Sequence, residues 1–215
     1  MAARKDFSAV YELLLQQHGP QAWWPAETVF EVMIGAILTQ NTAWTNVEKA
    51  LSNLRQINAL SLDGLETLNE TTLAECIRPS GYFNQKARRL KLFCDWYRSR
   101  GEHAGLATLD TDTLRRELLA VYGIGPETAD DILLYAFGRP VFVIDAYTRR
   151  IFSRLGMISG NERYDDLRHA FQNNLAADVS LFNTYHALIV NHGKDVCKIT
   201  PLCRNCALQD LCRFR

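Results

Sequence analysis

The 215-residue chain has no charge excess of either sign: 24 Lys and Arg stand against 24 Asp and Glu, a formal net charge of +0 at pH 7. A sequence-independent nucleic-acid binder usually carries a basic surplus, so composition lends that class no support and any cationic footprint has to be local. No apolar run approaches the roughly 18 residues of a membrane-spanning helix, and the start Met1-Ala2-Ala3-Arg4-Lys5-Asp6 lacks the apolar core of a secretory leader. A cytoplasmic protein without membrane contact is expected. There is no internal repeat, no low-complexity tract and no convincing strand apart from the short apolar Val141–Ile144. With 47% hydrophobic residues, the chain has enough apolar material for one sizeable core or two small ones.

What is present is helical periodicity. Phe7, Val10, Tyr11 and Leu14 recur at helical spacing until His18-Gly19-Pro20 stops the pattern. From Thr28, a good N-cap, to Leu38 the apolar residues cover nearly the whole circumference, which predicts a central, buried helix. Further helices are expected over 43–56, over roughly 63–77 with Ser61 and Asn69 as N-caps, and over about 84–100, 110–121, 126–137, 146–155, 163–174 and 178–191. The fold class predicted is all-α. Polar or aromatic residues interrupt this pattern at Trp23-Trp24-Pro25, at Thr39-Gln40-Asn41-Thr42 and at Pro79-Ser80-Gly81-Tyr82-Phe83. The cationic candidates are Lys86, Arg88, Arg89 and Lys91, then Arg149 and Arg150, then Lys194, Lys198, Arg204, Arg213 and Arg215, although each cluster taken singly reads first as a solvated helix face.

The stretch around which the chain is organised is Leu118–Leu133. Gly123-Ile124-Gly125 allows a tight reversal between two apolar-periodic segments, and Pro126 suits a first helical position, where its missing N–H is harmless. Such a hairpin presents the N–H groups of Gly123, Gly125 and the next helical turn to a phosphate. Glu127, Asp130 and Asp131 can equally be partners of the helix macrodipole.

Of six cysteines, Cys76 and Cys94 stand alone inside helices, where they read as apolar filling, and four form C-x5-C-x2-C-x5-C at Cys197, Cys203, Cys206 and Cys212. In a cytosolic chain that cluster points to metal-ligating thiolates rather than disulfides. Tetrahedral zinc and a cubane iron–sulfur cluster both accept four thiolates, so the donor set leaves the two open.

The hairpin with the following Asp145 resembles the helix-hairpin-helix and Gly/Pro-Asp loop of the endonuclease III superfamily of DNA glycosylases. That resemblance implies a two-lobed fold: a helical domain over 27–136 ending in the hairpin, and a second domain of 1–26 with 137–215 carrying a [4Fe–4S] cluster on the four cysteines, although the family usually has six residues in the first gap where this chain has five. It also implies a nucleoid-associated monomer whose partner is double-stranded DNA with a damaged base. Gly123, Ile124 and Gly125 would grip the backbone, Gln40 with its neighbour Asn41 would fill the hole left by an extruded base, and Tyr82 would be a second intercalating side chain. Asp145 would be catalytic.

Bifunctional members of that superfamily use a lysine in the second hairpin helix as a Schiff-base nucleophile. The matching residue here is Glu127, which implies a monofunctional enzyme. The adenine-mismatch branch would need its general-acid glutamate at Gly35. The blocks Ala22-Trp23-Trp24-Pro25, Gly35–Thr42, Arg78–Gly81 with Asn84–Ala87, Gly123–Gly125 with Glu127, and Asp145 most resemble the 3-methyladenine DNA glycosylases of the superfamily. Some of those members lack the cysteines and use a lysine matching Lys194. A methylated adenine is cationic and needs recognition of a flat positive ring more than acid help, which makes Trp24 with Pro25 and Trp44 the expected pocket walls, with Glu127 assisting by hydrogen bonding. A thymine or uracil mismatch glycosylase would share the missing lysine, and a non-catalytic DNA-binding module would tolerate loss of Asp145.

Overall fold

The computed structural model describes residues 6–21 and 26–214. Among these described residues twelve α-helices follow in chain order: α1 (Phe7–His18), α2 (Val29–Leu38), α3 (Trp44–Gln56), α4 (Leu62–Thr67), α5 (Glu70–Cys76), α6 (Phe83–Ser99), α7 (Glu102–Ala107), α8 (Thr111–Ala120), α9 (Pro126–Asp131), α10 (Ala146–Arg154), α11 (Tyr164–Asn174) and α12 (Val179–Asp195). Among the described residues there is no strand and no helix long and apolar enough to cross a membrane. Contacts divide the chain into two compact units, one of residues 26–139 and one of 1–25 with 140–215.

The helix starts follow from side chains that satisfy the orphan N–H groups of a first turn. Thr28 Oγ1 accepts from Glu31 N at 3.1 Å, Ser61 Oγ from Gly64 N at 3.1 Å, and Asn69 Oδ1 from Thr72 N at 2.8 Å. Asp6, Asp110 and Asp178 do the same for α1, α8 and α12. Sequence periodicity missed α7, which begins after Arg100-Gly101 without a side-chain cap.

In the 26–139 unit α2 is the buried centre. Met33, Ile34, Ile37 and Leu38 are fully enclosed, and α2 packs against α6, α9 and the turn after α9. The helix expected over 126–137 is not uniform. After Asp131 it widens into a π turn over Ile132–Ala136, closed by Phe137 N donating to Ile132 O at 3.2 Å.

The second unit is built on aromatics. Phe142 stacks on Phe171 with ring centroids 4.2 Å apart, Phe7 and Phe152 each meet Phe171 edge-on at 4.7 Å, and the Tyr185 hydroxyl donates to the Phe7 carbonyl at 2.7 Å. The segment Val141–Ile144, the one candidate strand, is buried but has no regular secondary structure and no strand beside it among the described residues. Side chains take the place of a ladder: Phe142 N donates to Gln172 Oε1 and Ile144 N to the Tyr164 hydroxyl, both at 3.3 Å.

Phe171 is fully buried among three phenylalanine rings. Phe171→Ala is expected to cost about 3–5 kcal/mol through lost transfer energy and the cavity left behind, read as a lowered urea midpoint of unfolding. An unchanged midpoint would show that this cluster does not hold the unit together.

Candidate functional site

The hairpin between α8 and α9 forms at the predicted glycines, for two different reasons. Gly123 has φ +87°, and a Cβ placed there would lie 2.4 Å from Cγ of Arg89, so both backbone and space require glycine. Gly125 is in extended backbone with nothing within 4 Å of a notional Cβ, so the surface on that side of it is open. Ile124 is buried and anchors the turn, while Tyr122 beside it is exposed, with the Arg88 guanidinium 5.6 Å from its ring centroid. The two hairpin helices are locked by a bidentate pair: Arg115 Nε to Asp130 Oδ1 at 2.6 Å and Nη2 to Oδ2 at 3.2 Å, with Asp130 fully buried. Asp130 is therefore a clasp between helices rather than a macrodipole partner, whereas Glu127 is exposed in the first turn of α9.

Two loops of the same unit carry the other DNA-binding candidates. In the loop after α2, Gln40 is half-buried and held back: its Nε2 donates to Gly123 O and to Thr128 Oγ1, each at 2.9 Å, and its Oε1 accepts from Arg89. Asn41, the next residue, is exposed, with φ +54°. In the turn before α6, Tyr82 is 66% exposed with φ +45°. Left-handed backbone at a residue other than glycine costs on the order of 1–3 kcal/mol and persists only where the surroundings impose it. For the aromatic Tyr82 it is a true outlier; for Asn41 it is milder. Trp44 opens α3 half-buried, its indole Nε1 donating to Glu48 Oε1 at 2.9 Å. Trp24 and Pro25 lie outside the described residues.

Several of the candidate footprint cations are committed elsewhere. Lys86 is 1% exposed, and its Nζ donates to Leu38 O at 2.8 Å and Ser80 O at 2.7 Å. Burial, and then the charge of Arg89, lowers its pKa to about 8. Lys91 serves the carbonyls of Leu65 and Glu66, Arg149 the carbonyl of Glu162, and Arg150 those of Gly193 and Cys197.

In the 1–25 and 140–215 unit, Asp145 is buried at the N-cap of α10. Its Oδ1 accepts from both the amide and the hydroxyl of Thr148 at 2.7 Å, and its Oδ2 lies 3.7 Å from His186 Nε2. Burial alone would raise the carboxyl pKa. The His186 ring and the two Thr148 donors outweigh it and hold the group below its ordinary value of 3.8, so the carboxylate is ionised at neutral pH. Thr148 was legible as the third residue past an N-cap; His186, on α12 and 41 positions away, carries no sequence signal that points to Asp145.

Cys197, Cys203, Cys206 and Cys212 line one cavity of about 530 Å³ together with Arg154 and Phe214. Arg154 Nη1 lies 3.2 Å from Cys197 Sγ and donates to Lys198 O, while its Nη2 reaches Ile199 O. Cys206 Sγ lies 3.4 Å from His192 Nε2, and burial with the field of the other three cysteines raises the Cys206 pKa. Among the described residues no three His, Cys, Asp or Glu side chains are grouped closely enough to hold one metal ion. Four soft sulfur donors around a shared cavity, with a guanidinium beside one of them, suit a group that takes thiolates. Lys194 is exposed at the end of α12.

Residues 34–177 match the sequence profile of the HhH-GPD superfamily of base excision DNA repair proteins. A protein of Methanocaldococcus jannaschii, named provisionally as a DNA repair glycosylase, is 47% identical over 206 residues, 94% of each chain. Endonuclease III of Sulfolobus acidocaldarius is 31% identical over 86% of this chain and 82% of its own. Among solved structures, the 3-methyladenine DNA glycosylase of H. pylori bound to 1,N6-ethenoadenine matches with a TM-score of 0.72 and 30% identity, covering 88% of this chain and 97% of that one. A non-covalent complex of endonuclease III with DNA matches with a TM-score of 0.83 over 99% of this chain and 96% of that one; at 21% identity that likeness speaks for the fold. With its helix-hairpin-helix formed and most of its length shared with these relatives, the chain belongs to the HhH-GPD superfamily of base excision DNA repair proteins, as a DNA glycosylase of the endonuclease III group.

Proposed function

We propose that this DNA glycosylase is monofunctional and, acting as a monomer on double-stranded DNA, excises alkylated bases such as 3-methyladenine. The observation that carries the catalytic part is the buried, ionised Asp145, held at a helix N-terminus by Thr148 and faced by His186. Substrate class is supported by the resemblance of the 22–25, 35–42, 78–87 and 123–127 blocks to 3-methyladenine glycosylases and by the 30% identity to the H. pylori enzyme.

A 3-methylated adenine is already positively charged and departs readily once the sugar can bear charge. As the C1′–N bond breaks, its electron pair goes to the base, and the Asp145 carboxylate stabilises the oxocarbenium character left on the sugar. Water adds at C1′ and its proton passes to the carboxylate. Trp44, with Trp24 and Pro25, would hold the flat cationic ring by stacking and cation–π attraction. The hairpin residues Gly123, Ile124 and Gly125 would hold phosphate through backbone N–H groups, and Gln40, Asn41 and Tyr82 would occupy the space of the extruded base. Glu127 would assist by hydrogen bonding. The four cysteines would hold a [4Fe–4S] cluster, whose contribution is to order the basic C-terminal loop beside DNA, not to take part in the chemistry.

A panel of oligonucleotides and alkylated DNA, scored for released base, tests substrate class. Release of 3-methyladenine is expected; release of thymine or uracil from mismatches alone would establish the mismatch reading. Asp145→Asn keeps the shape of the side chain but removes its charge. Excision should fall at least about a hundredfold, while affinity for an abasic-site duplex is kept or improved because a charge near phosphates is gone. Full activity in that variant would overturn the catalytic assignment.

Because Glu127 offers no amine, wild-type protein should release base and leave the strand whole until alkali is added. Borohydride should trap no covalent protein–DNA adduct, and an adduct would show that another amine forms a Schiff base. Purified protein should be yellow-brown with broad visible absorption, lost together with C-terminal order when any of the four cysteines becomes serine. Colourless, folded, zinc-containing protein would replace the cluster by a zinc site.

A further inference from the structure

The buried end of α6 does more than fill the interior. Lys86 gives one ammonium to two carbonyls: that of Leu38, the last residue of α2, and that of Ser80, the last residue of the 78–80 turn. Each carbonyl lies just upstream of a candidate DNA-facing tip. Asn41 follows Leu38 by three residues and Tyr82 follows Ser80 by two, and both tips are in the left-handed backbone conformation that a residue other than glycine adopts only under constraint. One turn further along α6, Arg89 holds Gln40 and lies across Gly123. The loops at 39–42 and 80–82 and the hairpin at 121–125 thus all take their positions from two cations on one helix.

We propose that Lys86 is a positioning residue for base extrusion, its ammonium fixing the spacing and the strained backbone of the two loops whose tips, Asn41 and Tyr82, enter the duplex. The sequence alone offers Lys86 as a surface cation, either part of a local DNA footprint or one charge on a solvated helix face. The structure gives its charge to the protein interior, where a cation at the carboxyl end of α2 also complements that helix's dipole. Its effect on DNA is therefore indirect. Loss of the ammonium would leave the hairpin's hold on the backbone in place and remove the ordered tips.

The inference rests on the reading that these loops enter DNA, and the experiment separates the two. The probe is a duplex with a tetrahydrofuran abasic analogue opposite 2-aminopurine, a base whose fluorescence rises when it is unstacked. Wild-type protein should raise the emission on binding, and Tyr82→Ala and Asn41→Ala should reduce that rise. Lys86→Met should bind undamaged duplex within about threefold of wild type, yet lose most of the emission rise and at least about tenfold in single-turnover excision. If the tip variants give the full wild-type rise, the loop reading fails. If they lose it while folded Lys86→Met keeps it, the loop reading stands and the role of Lys86 is overturned. Cooperative melting checks folding. Should Lys86→Met not melt cooperatively, Lys86→Gln replaces it, since its shorter amide still donates but cannot span both carbonyls. At least half the rise should then be lost, and a full rise would again overturn the proposal.

Discussion

The 26–139 unit depends on a cation placed where water cannot reach it. An ammonium buried without partners would lose its proton or unfold its surroundings. Lys86 avoids both because two main-chain carbonyls, those of Leu38 and Ser80, are already directed inward at the end of a helix and of a turn. That arrangement constrains everything nearby. The chain leaving each carbonyl must turn sharply to regain the surface, and at both exits a residue other than glycine adopts positive φ. Arg89, next on the same face of α6, fills the space that Gly123 leaves empty, so the hairpin glycine is required by a side chain from another helix as well as by its own backbone.

A second balance governs Asp145. Desolvation works against its charge and donors work for it, and here the donors prevail: two from Thr148 at the start of α10, with His186 behind. Together these make a carboxylate that stays ionised at neutral pH although it is shielded from bulk water. A carboxylate so held can stabilise transient positive charge beside it. Neutral overall charge fits the same picture. Cations such as Lys86, Lys91 and Arg150 are taken up by internal carbonyls, while others such as Arg88, Lys194, Lys198 and Arg204 stay exposed.

Much of the fold was legible in advance because its signals are local. N-caps at Thr28, Ser61 and Asn69 are properties of three or four consecutive residues, and the apolar circumference of α2 is a property of ten. What failed were inferences in which a local pattern has more than one tertiary solution. Val141–Ile144 is apolar enough for a strand, but a strand needs a neighbour. With none among the described residues, its backbone is served by Gln172 and Tyr164. Asp130 looks like a helix-start acid until Arg115 is seen beside it. The contacts of Gln40 with Gly123, Thr128 and Arg89 were likewise beyond sequence, since each partner comes from another element.

The sequence by itself determined the all-α class, the hairpin at Gly123-Ile124-Gly125, the aspartate that follows it and the four-cysteine cluster, since periodicity, turn chemistry and ligand spacing are all encoded over short stretches of chain. Only the tertiary structure decided which charges are used inside and which outside. His186 reaches Asp145 from a distant helix, and Lys86 turns from a surface cation into a buried tie between two loops. The physical reason is that the fate of a charge depends on the carbonyls and carboxylates that folding brings within about 3 Å of it, and those partners come from any part of the sequence.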